Sequence, residues 1–175
     1  NGGVLMAAKG GSGKSTSALT CLGAGMQFAG DDYVAISNSP EPYVHGLFCS
    51  AKIHANNLHR VPHLQDAVQN RDKLDYQKGL LLLNDQFSGQ MSRGFPLKAL
   101  LVPRITPQID TSLTPASATV GLAALAPTTM FQLPGSNKTE FQTMVKLVKS
   151  LPCYWLELGT DVAQIPRTIS RFLND

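Results

Sequence analysis

Residues 7–16 read AAKGGSGKST, a glycine-rich segment between the apolar residues 4–6 and a run with helical spacing of apolar positions. A strand, a glycine-rich loop and a helix in this order form an anion cradle. Glycines let successive backbone N–H groups point inward, and the helix N-terminus adds partial positive charge. Residues 8–15 fit the phosphate-binding loop pattern, with Ala8 where its first glycine usually stands. The segment therefore predicts a site for nucleotide phosphates.

The pattern also assigns roles to particular residues of this loop. Lys14 is expected to reach the β- and γ-phosphates, and the Ser15 hydroxyl to bind Mg²⁺, so that ATP and Mg²⁺ are the expected cofactors. The alternative is a flexible glycine loop that only happens to precede a helix. The residues predicted to contact the nucleotide are Lys9, Gly10, Gly11, Ser12, Gly13, Lys14, Ser15 and Thr16.

Two adjacent carboxylates follow in AGDDYVAI, residues 29–36. Phosphoryl transfer needs a metal to neutralise the triphosphate, and it benefits from a carboxylate that accepts the proton of the attacking hydroxyl. Asp31 and Asp32 stand 17 and 18 residues after Lys14 and are predicted to supply both functions at the end of a strand next to the loop strand. An ordinary Asp-containing turn is the alternative.

The composition is that of an ordinary globular protein. The 175 residues suit one domain, residues 1–175, and 43% of them are hydrophobic. A net charge of +3 without a Lys/Arg-rich run argues against nucleic acid as a partner. No apolar run approaches the roughly 18–20 residues of a membrane span, so a membrane is not an expected partner either.

The cysteines and the first residue bear on compartment and completeness. Cys21, Cys49 and Cys153 are odd in number and widely spaced, which argues against a disulfide framework and predicts a cytoplasmic protein. Because the sequence begins with Asn1 just before its first motif, we expect an N-terminally truncated domain.

Strand-like and helix-like segments alternate along the chain, which predicts an α/β domain. The runs GLLLL (79–83) and LKALLV (97–102) are typical of strands buried on both faces. Thr114 and Pro115 are predicted to start a helix, as its cap and first residue. Further predicted strands are 4–8, 26–29, 33–36, 43–48 and 153–158, and the predicted helices are 14–22, 51–60, 114–125, 140–150 and 166–173.

Residues 10–36, GGSGKSTSALTCLGAGMQFAGDDYVAI, resemble the core of bacterial HPr kinase/phosphorylases, in which the loop, a short helix and an ADD or GDD strand keep the same separation. ATP-dependent phosphoenolpyruvate carboxykinases look like more distant relatives. A looser similarity extends to HPr-kinase-related serine kinases of peptide-biosynthesis clusters, including lasso-peptide tailoring kinases. The segments that carry it are SAKI (50–53), LLVPRI (100–105), ALAPTTMFQLPG (124–135) and LPCYWLELGTD (151–161).

The resemblance implies a P-loop catalytic domain with a mixed sheet and flanking helices. By its position, Asp32 matches the proton acceptor of the family, which leaves Asp31 near the metal. The sequence alone does not decide which aspartate has which role. HPr kinases are oligomeric, so the resemblance also makes a homo-oligomer an expectation.

Arg104 follows a strand run and Pro103, and its side chain is predicted to reach the phosphates and stabilise transition-state charge. The alternative is a surface arginine at the end of a strand. Lys52, near the GDD segment, is a weaker candidate of the same kind. His54, His59 and His63 do not form a convincing metal set, because Pro62 interrupts the helix that would align them.

The leading functional hypothesis is an Mg²⁺-ATP-dependent kinase that phosphorylates a hydroxyl, with a serine-bearing peptide or small protein as partner. A nucleotide-dependent switch ATPase that binds a partner protein is the alternative. It is favoured by Lys9, which resembles the signature lysine of chromosome-partitioning and cell-division ATPases. A kinase or carboxykinase for small acidic molecules ranks last, because the arginines are scattered.

Overall fold

The computed structural model of the chain describes residues 2–130 and 138–175. Asn1 and the end of the ALAPTTMFQLPG segment, residues 131–135, lie outside these ranges. The strands are β1 (Gly3–Met6), β2 (Val34–Ser37), β3 (Tyr43–Gly46), β4 (Ser50–Ile53), β5 (Gly79–Leu82), β6 (Gly94–Ile105), β7 (Ser112–Ala116) and β8 (Cys153–Leu158). The α-helices are α1 (Lys14–Gly23), α2 (Asn84–Phe87), α3 (Ala118–Met130), α4 (Lys138–Ser150) and α5 (Gln164–Asn174).

The main sheet is mixed. Its strands follow the order β2-β3-β6-β8-β7, and β1 pairs with β6 outside this path. Strands β1 and β8 run parallel to β6, whereas β3 runs antiparallel to β6 and β7 antiparallel to β8. The predicted α/β fold with a mixed sheet and flanking helices is confirmed.

Strand β6 is the centre of the sheet because its apolar run has a hydrophobic core on each face. Leu100 and Leu101 are both fully buried, and they belong to different cores. Leu100 packs in the core that includes Leu147 of α4, and Leu101 in the core that includes Ile169 of α5. Alternate side chains of a strand point to opposite faces, so one continuous apolar run serves both layers.

A third core lies beneath α1. Strands β4 and β5 form a two-stranded antiparallel sheet, and buried side chains such as Leu19, Leu64 and Leu81 pack there. The prediction that the GLLLL run is buried on both faces is wrong, because a two-stranded sheet has one covered face here and leaves Leu82 45% exposed. This small sheet stands opposite the glycine-rich loop and completes the site described below.

Two predicted helices are replaced in part by strands. Residues 112–116 form β7, in which Thr114 pairs with Trp155 and Pro115 with Tyr154. An edge strand tolerates proline, and the pairing with β8 outweighs the local capping signal. The helix begins instead at Ala118, where the Ser117 hydroxyl accepts a hydrogen bond from the Val120 N–H at 3.4 Å. The predicted helix 51–60 is likewise strand β4 followed by a 3₁₀ segment, Ala55–Arg60.

The predicted strand 26–29 is reduced to a single bridge between Phe28 and Met91. Within residues 2–130 and 138–175, no helix is long and apolar enough to cross a membrane.

Candidate active site

The glycine-rich loop connects β1 to α1, and two of its glycines have backbone angles that side chains oppose. Gly11 has φ 79° and Gly13, at the N-terminus of α1, has φ 95°. A Cβ on Gly13 would also come within 2.5 Å of the Leu158 side chain. Gly13 is therefore required both by its left-handed conformation and by the close packing of the loop on β8.

The loop faces a cavity of about 190 Å³. Of the predicted nucleotide-contacting residues, Gly10, Gly11, Gly13, Lys14, Ser15 and Thr16 line this cavity, whereas Lys9 and Ser12 do not. The hydroxyl of Ser12 is buried and has no hydrogen-bond partner among the described residues. The cavity is also lined by residues of five further segments: Asp32; Lys52, Ile53, His54, Asn57 and Arg60; Lys78; Ile105; and Leu158, Gly159, Val162 and Ile165.

Lys14 lies folded over the loop. Its ammonium donates hydrogen bonds to the Ala8 carbonyl at 2.6 Å and to the Lys9 carbonyl at 2.9 Å. Burial lowers the pKa of Lys14, and the charges of Asp31 and Asp32 partly oppose that shift. The two carboxylates therefore lie close enough to Lys14 for their charges to affect its pKa.

Asp31 lies beside Ser15 and is held by β4. Its carboxylate accepts a hydrogen bond from the Lys52 backbone N–H at 3.0 Å and another from the Ser15 hydroxyl. Burial is the main reason that the pKa of Asp31 is raised, while these two hydrogen bonds act in the opposite direction. A partly buried carboxylate that contacts the loop serine is well placed to share a cation with it.

Asp32 is exposed and lines the cavity. The aspartate pair was expected at the end of a strand next to β1. Instead, both residues lie in the bend that precedes β2, and the strand next to β1 is β6. The predicted path of the chain is therefore wrong, but the bend still brings the two aspartates to the loop.

Arg104 does not reach the cavity, and its predicted phosphate contact is corrected. Its guanidinium donates to both carboxylate oxygens of Glu157, with Nε–Oε2 at 2.8 Å, and lies 4.5 Å from the centroid of the Trp155 ring. The neighbouring residue Ile105 lines the cavity, so Arg104 faces the opposite side of the sheet. There it stabilises the β6–β8 pair, and its hydrogen bond lowers the pKa of Glu157.

Three cationic residues line the cavity in addition to Lys14. They are Lys52, Arg60 and Lys78. The sequence suggested only Lys52, and only weakly, because Arg60 and Lys78 lie in or beside a stretch with little periodicity. No local signal marks them, since Lys78 is brought to the cavity by the pairing of β5 with β4, and Arg60 by the 3₁₀ segment that follows β4.

The histidines are divided among different environments. His54 lines the cavity, whereas the His63 Nε2 lies 3.2 Å from the Leu19 carbonyl and its ring is edge-on to Phe87. Among the described residues, no group of three or more His, Cys, Asp or Glu side chains is arranged to hold a metal ion.

The residues present fit a nucleotide with its magnesium. Gly10 and Gly11 have open space where a Cβ would stand, so a phosphate can approach the backbone closely. The Ser15 hydroxyl and the Asp31 carboxylate are hard oxygen donors, and Mg²⁺ in phosphate sites uses one or two such protein ligands besides the phosphates. A set of only two protein oxygens is therefore sufficient for this ion.

These features define the class: a P-loop α/β domain with two carboxylates at its loop. No protein-family model and no curated protein sequence matches the chain. Its structure is similar to the solved structure of the Hpr(Ser) kinase/phosphatase from Coxiella burnetii, with a TM-score of 0.51 and 10% sequence identity. The similarity covers 98% of this chain and 87% of that one. At this identity it shows that the two proteins share a fold.

Replacement of Asp31 by asparagine is expected to stabilise the unliganded protein. Because burial raises the pKa of Asp31, the folded state binds its proton more tightly than the unfolded chain does, and stability is lost as pH rises through the folded pKa. Asparagine has no charge to bury, and its side-chain oxygen can still accept the hydrogen bond from the Lys52 N–H. We expect the melting temperature at pH 7 to rise by about 2 °C, the shift that somewhat under 1 kcal/mol produces in a chain of this length.

The difference in melting temperature between Asp31→Asn and wild type should shrink as pH falls, because the wild-type carboxyl becomes protonated. Thermal melts at several pH values will measure this difference. Asp85, an exposed residue of α2, provides the control substitution Asp85→Asn. A lower melting temperature for Asp31→Asn than for Asp85→Asn at neutral pH would contradict the prediction that the buried charge of Asp31 destabilises the folded protein.

Proposed function

We propose that this chain is an Mg²⁺-ATP-dependent kinase that transfers the γ-phosphate to the serine hydroxyl of a peptide or small protein. The observation that carries the proposal is that Lys14, Ser15 and Asp32 line one cavity at a P-loop, while Asp31 lies beside it and is hydrogen-bonded to Ser15. A loop that only binds phosphate does not need two carboxylates there, whereas phosphoryl transfer to a hydroxyl uses one at the metal and one at the acceptor.

The roles follow from exposure and contacts. Asp31, which is partly buried and bonded to Ser15, would hold the metal together with that hydroxyl. Bound Mg²⁺ neutralises phosphate charge and orients the terminal phosphate. Asp32, which is exposed and has no hydrogen-bond partner among the described residues, would accept the proton of the attacking hydroxyl. When nucleotide binds, the Lys14 ammonium would leave the Ala8 and Lys9 carbonyls and donate hydrogen bonds to phosphate oxygens instead.

Incubation of the purified protein with labelled ATP and serine-containing peptides tests the proposal. We expect label on serine, no label on matched peptides in which alanine replaces serine, and loss of transfer when EDTA removes Mg²⁺. Failure to label any of a diverse set of serine peptides, with slow release of free phosphate instead, would contradict the kinase and favour the alternative below.

The alternative is a nucleotide-dependent switch, and the position of Lys9 favours it. Lys9 is exposed and lies outside the cavity, so its side chain is accessible to a partner molecule. A switch of this kind would dimerise when ATP binds, and Lys9→Ala would abolish the dimer. Sedimentation with and without ATP distinguishes it from the kinase, which transfers phosphate whether or not Lys9 is present.

A further inference from the structure

Lys78 lines the same cavity as the glycine-rich loop. It precedes β5, whose first residue, Gly79, pairs with Ile53 of β4. Lys78, Ile53 and Lys14 all line the same cavity. Lys78 therefore belongs to the wall of the cavity that the β4–β5 sheet supplies, near enough for its charge to act on Lys14 and Asp31.

The backbone at Lys78 is held by Asn70. The Asn70 side-chain amide donates to the Lys78 carbonyl at 3.0 Å, and its oxygen accepts from the Leu80 N–H at 2.7 Å. One side chain thus bonds the residue itself and the second residue after it. This clamp fixes the start of β5 and so the point from which the lysine side chain extends, which is the preorganisation expected of a functional cation.

The ammonium of Lys78 is not committed elsewhere. Among the described residues it makes no ion pair and donates no hydrogen bond, in contrast to Arg104, which is paired with Glu157. Its charge is nevertheless felt in the site, where it lowers the pKa of Lys14 and that of Asp31. A free cation at this position repels Lys14 until an anion lies between them.

Lys52 and Arg60 line the same cavity but are less well placed. Lys52 contacts Asp31 through its backbone N–H, and this hydrogen bond lowers the pKa of Asp31. Arg60 lies at the end of the 3₁₀ segment that follows β4. Lys78, by contrast, combines a backbone that Asn70 holds with a charge that lowers the pKa of both Lys14 and Asp31.

We propose that Lys78, positioned by Asn70, is the catalytic cation that stabilises negative charge on the transferred phosphoryl group. The proposal rests on the proposed kinase function. In the reaction, the acceptor oxygen forms a bond to the γ-phosphorus while the bond from that phosphorus to the β–γ bridging oxygen breaks. The acceptor proton passes to Asp32, and ADP leaves. Lys78 donates hydrogen bonds to the equatorial oxygens of the phosphoryl group and so stabilises the negative charge on them.

Transition-state analogue binding tests this role without knowledge of the acceptor. The affinity of the protein for Mg²⁺-ADP is measured with and without aluminium fluoride, which mimics the transferring phosphoryl group. We expect wild type to bind ADP more tightly with the fluoride, and Lys78→Ala to bind ADP alone within about twofold of wild type. In Lys78→Ala, the increase in ADP affinity that aluminium fluoride produces should be smaller by a factor on the order of 10², which is the effect of removing one transition-state donor.

Two further variants separate a catalytic role from a structural one. Lys78→Arg, which keeps the charge, should recover most of the gain. Asn70→Ala, which keeps the lysine but releases its backbone, should lose part of it. Lys73→Ala, at an exposed lysine outside the cavity, is the matched control and should behave as wild type.

The outcomes distinguish this proposal from the function on which it rests. A wild type that binds no ADP overturns both. A wild type that responds to aluminium fluoride, together with a Lys78→Ala variant that responds equally, overturns the role of Lys78 and leaves the kinase standing. An equal loss of affinity for ADP with and without the fluoride would make Lys78 a ground-state phosphate ligand and also overturn the proposal.

Discussion

Asp32→Asn is expected to lower phosphoryl transfer to a serine peptide by about 10²–10⁴-fold, the range that a positioned general base contributes. The Asp32 side chain is exposed and lines the cavity, and its carboxylate accepts no hydrogen bond from the described residues. Asparagine has nearly the same shape but cannot take up the proton of the attacking hydroxyl. Nucleotide affinity should change little, so the loss should appear in kcat.

The measurement is the initial rate of label transfer at saturating ATP, with ADP affinity determined in parallel. Asp85→Asn on α2 removes one exposed carboxylate far along the chain from the site and serves as the charge control. Full transfer by Asp32→Asn would show that Asp32 is not the base. In that case Asp31 would be the remaining carboxylate able to take the proton, and the assignment of the pair would be reversed.

Lys14→Met is expected to produce the second large effect, a loss on the order of 10³-fold in kcat/KM, in the range known for removal of a preorganised charge-stabilising donor. Methionine keeps the length of the side chain and its packing along the loop but lacks the ammonium. In the unliganded protein that ammonium bonds the Ala8 and Lys9 carbonyls, and these bonds are lost as well. Both ATP binding and the transfer rate should therefore fall.

Titration with a fluorescent ATP analogue measures the loss of binding, and the transfer assay measures the loss of rate. Lys146→Ala, an exposed lysine of α4, is the control. Because the lost hydrogen bonds can loosen the loop, thermal melts should accompany both variants. Wild-type ATP affinity in Lys14→Met would refute phosphate binding by the loop lysine, whatever the melting temperature.

Much of the site was predictable because its signals are local. The order of loop and helix, the helical spacing after Lys14 and the glycines at positions 11 and 13 express backbone requirements that neighbouring residues impose on each other. The same holds for the runs that became β6 and β8 and for the amphipathic patterns of α4 and α5. The aspartate pair was found by its separation from Lys14, although its path to the site was predicted incorrectly.

The remaining features depend on which strand pairs with which. The direction of Arg104 follows from its register with Glu157, since a shift of one residue would have turned it toward the cavity. The pairing of β7 with β8 overrode the capping signal at Thr114. Lys78 lines the cavity at the loop because β5 pairs with β4 and Asn70 holds its backbone. Local patterns carry backbone and burial preferences, but contacts between distant segments are decided when the sheet forms, and those contacts built the wall opposite the loop.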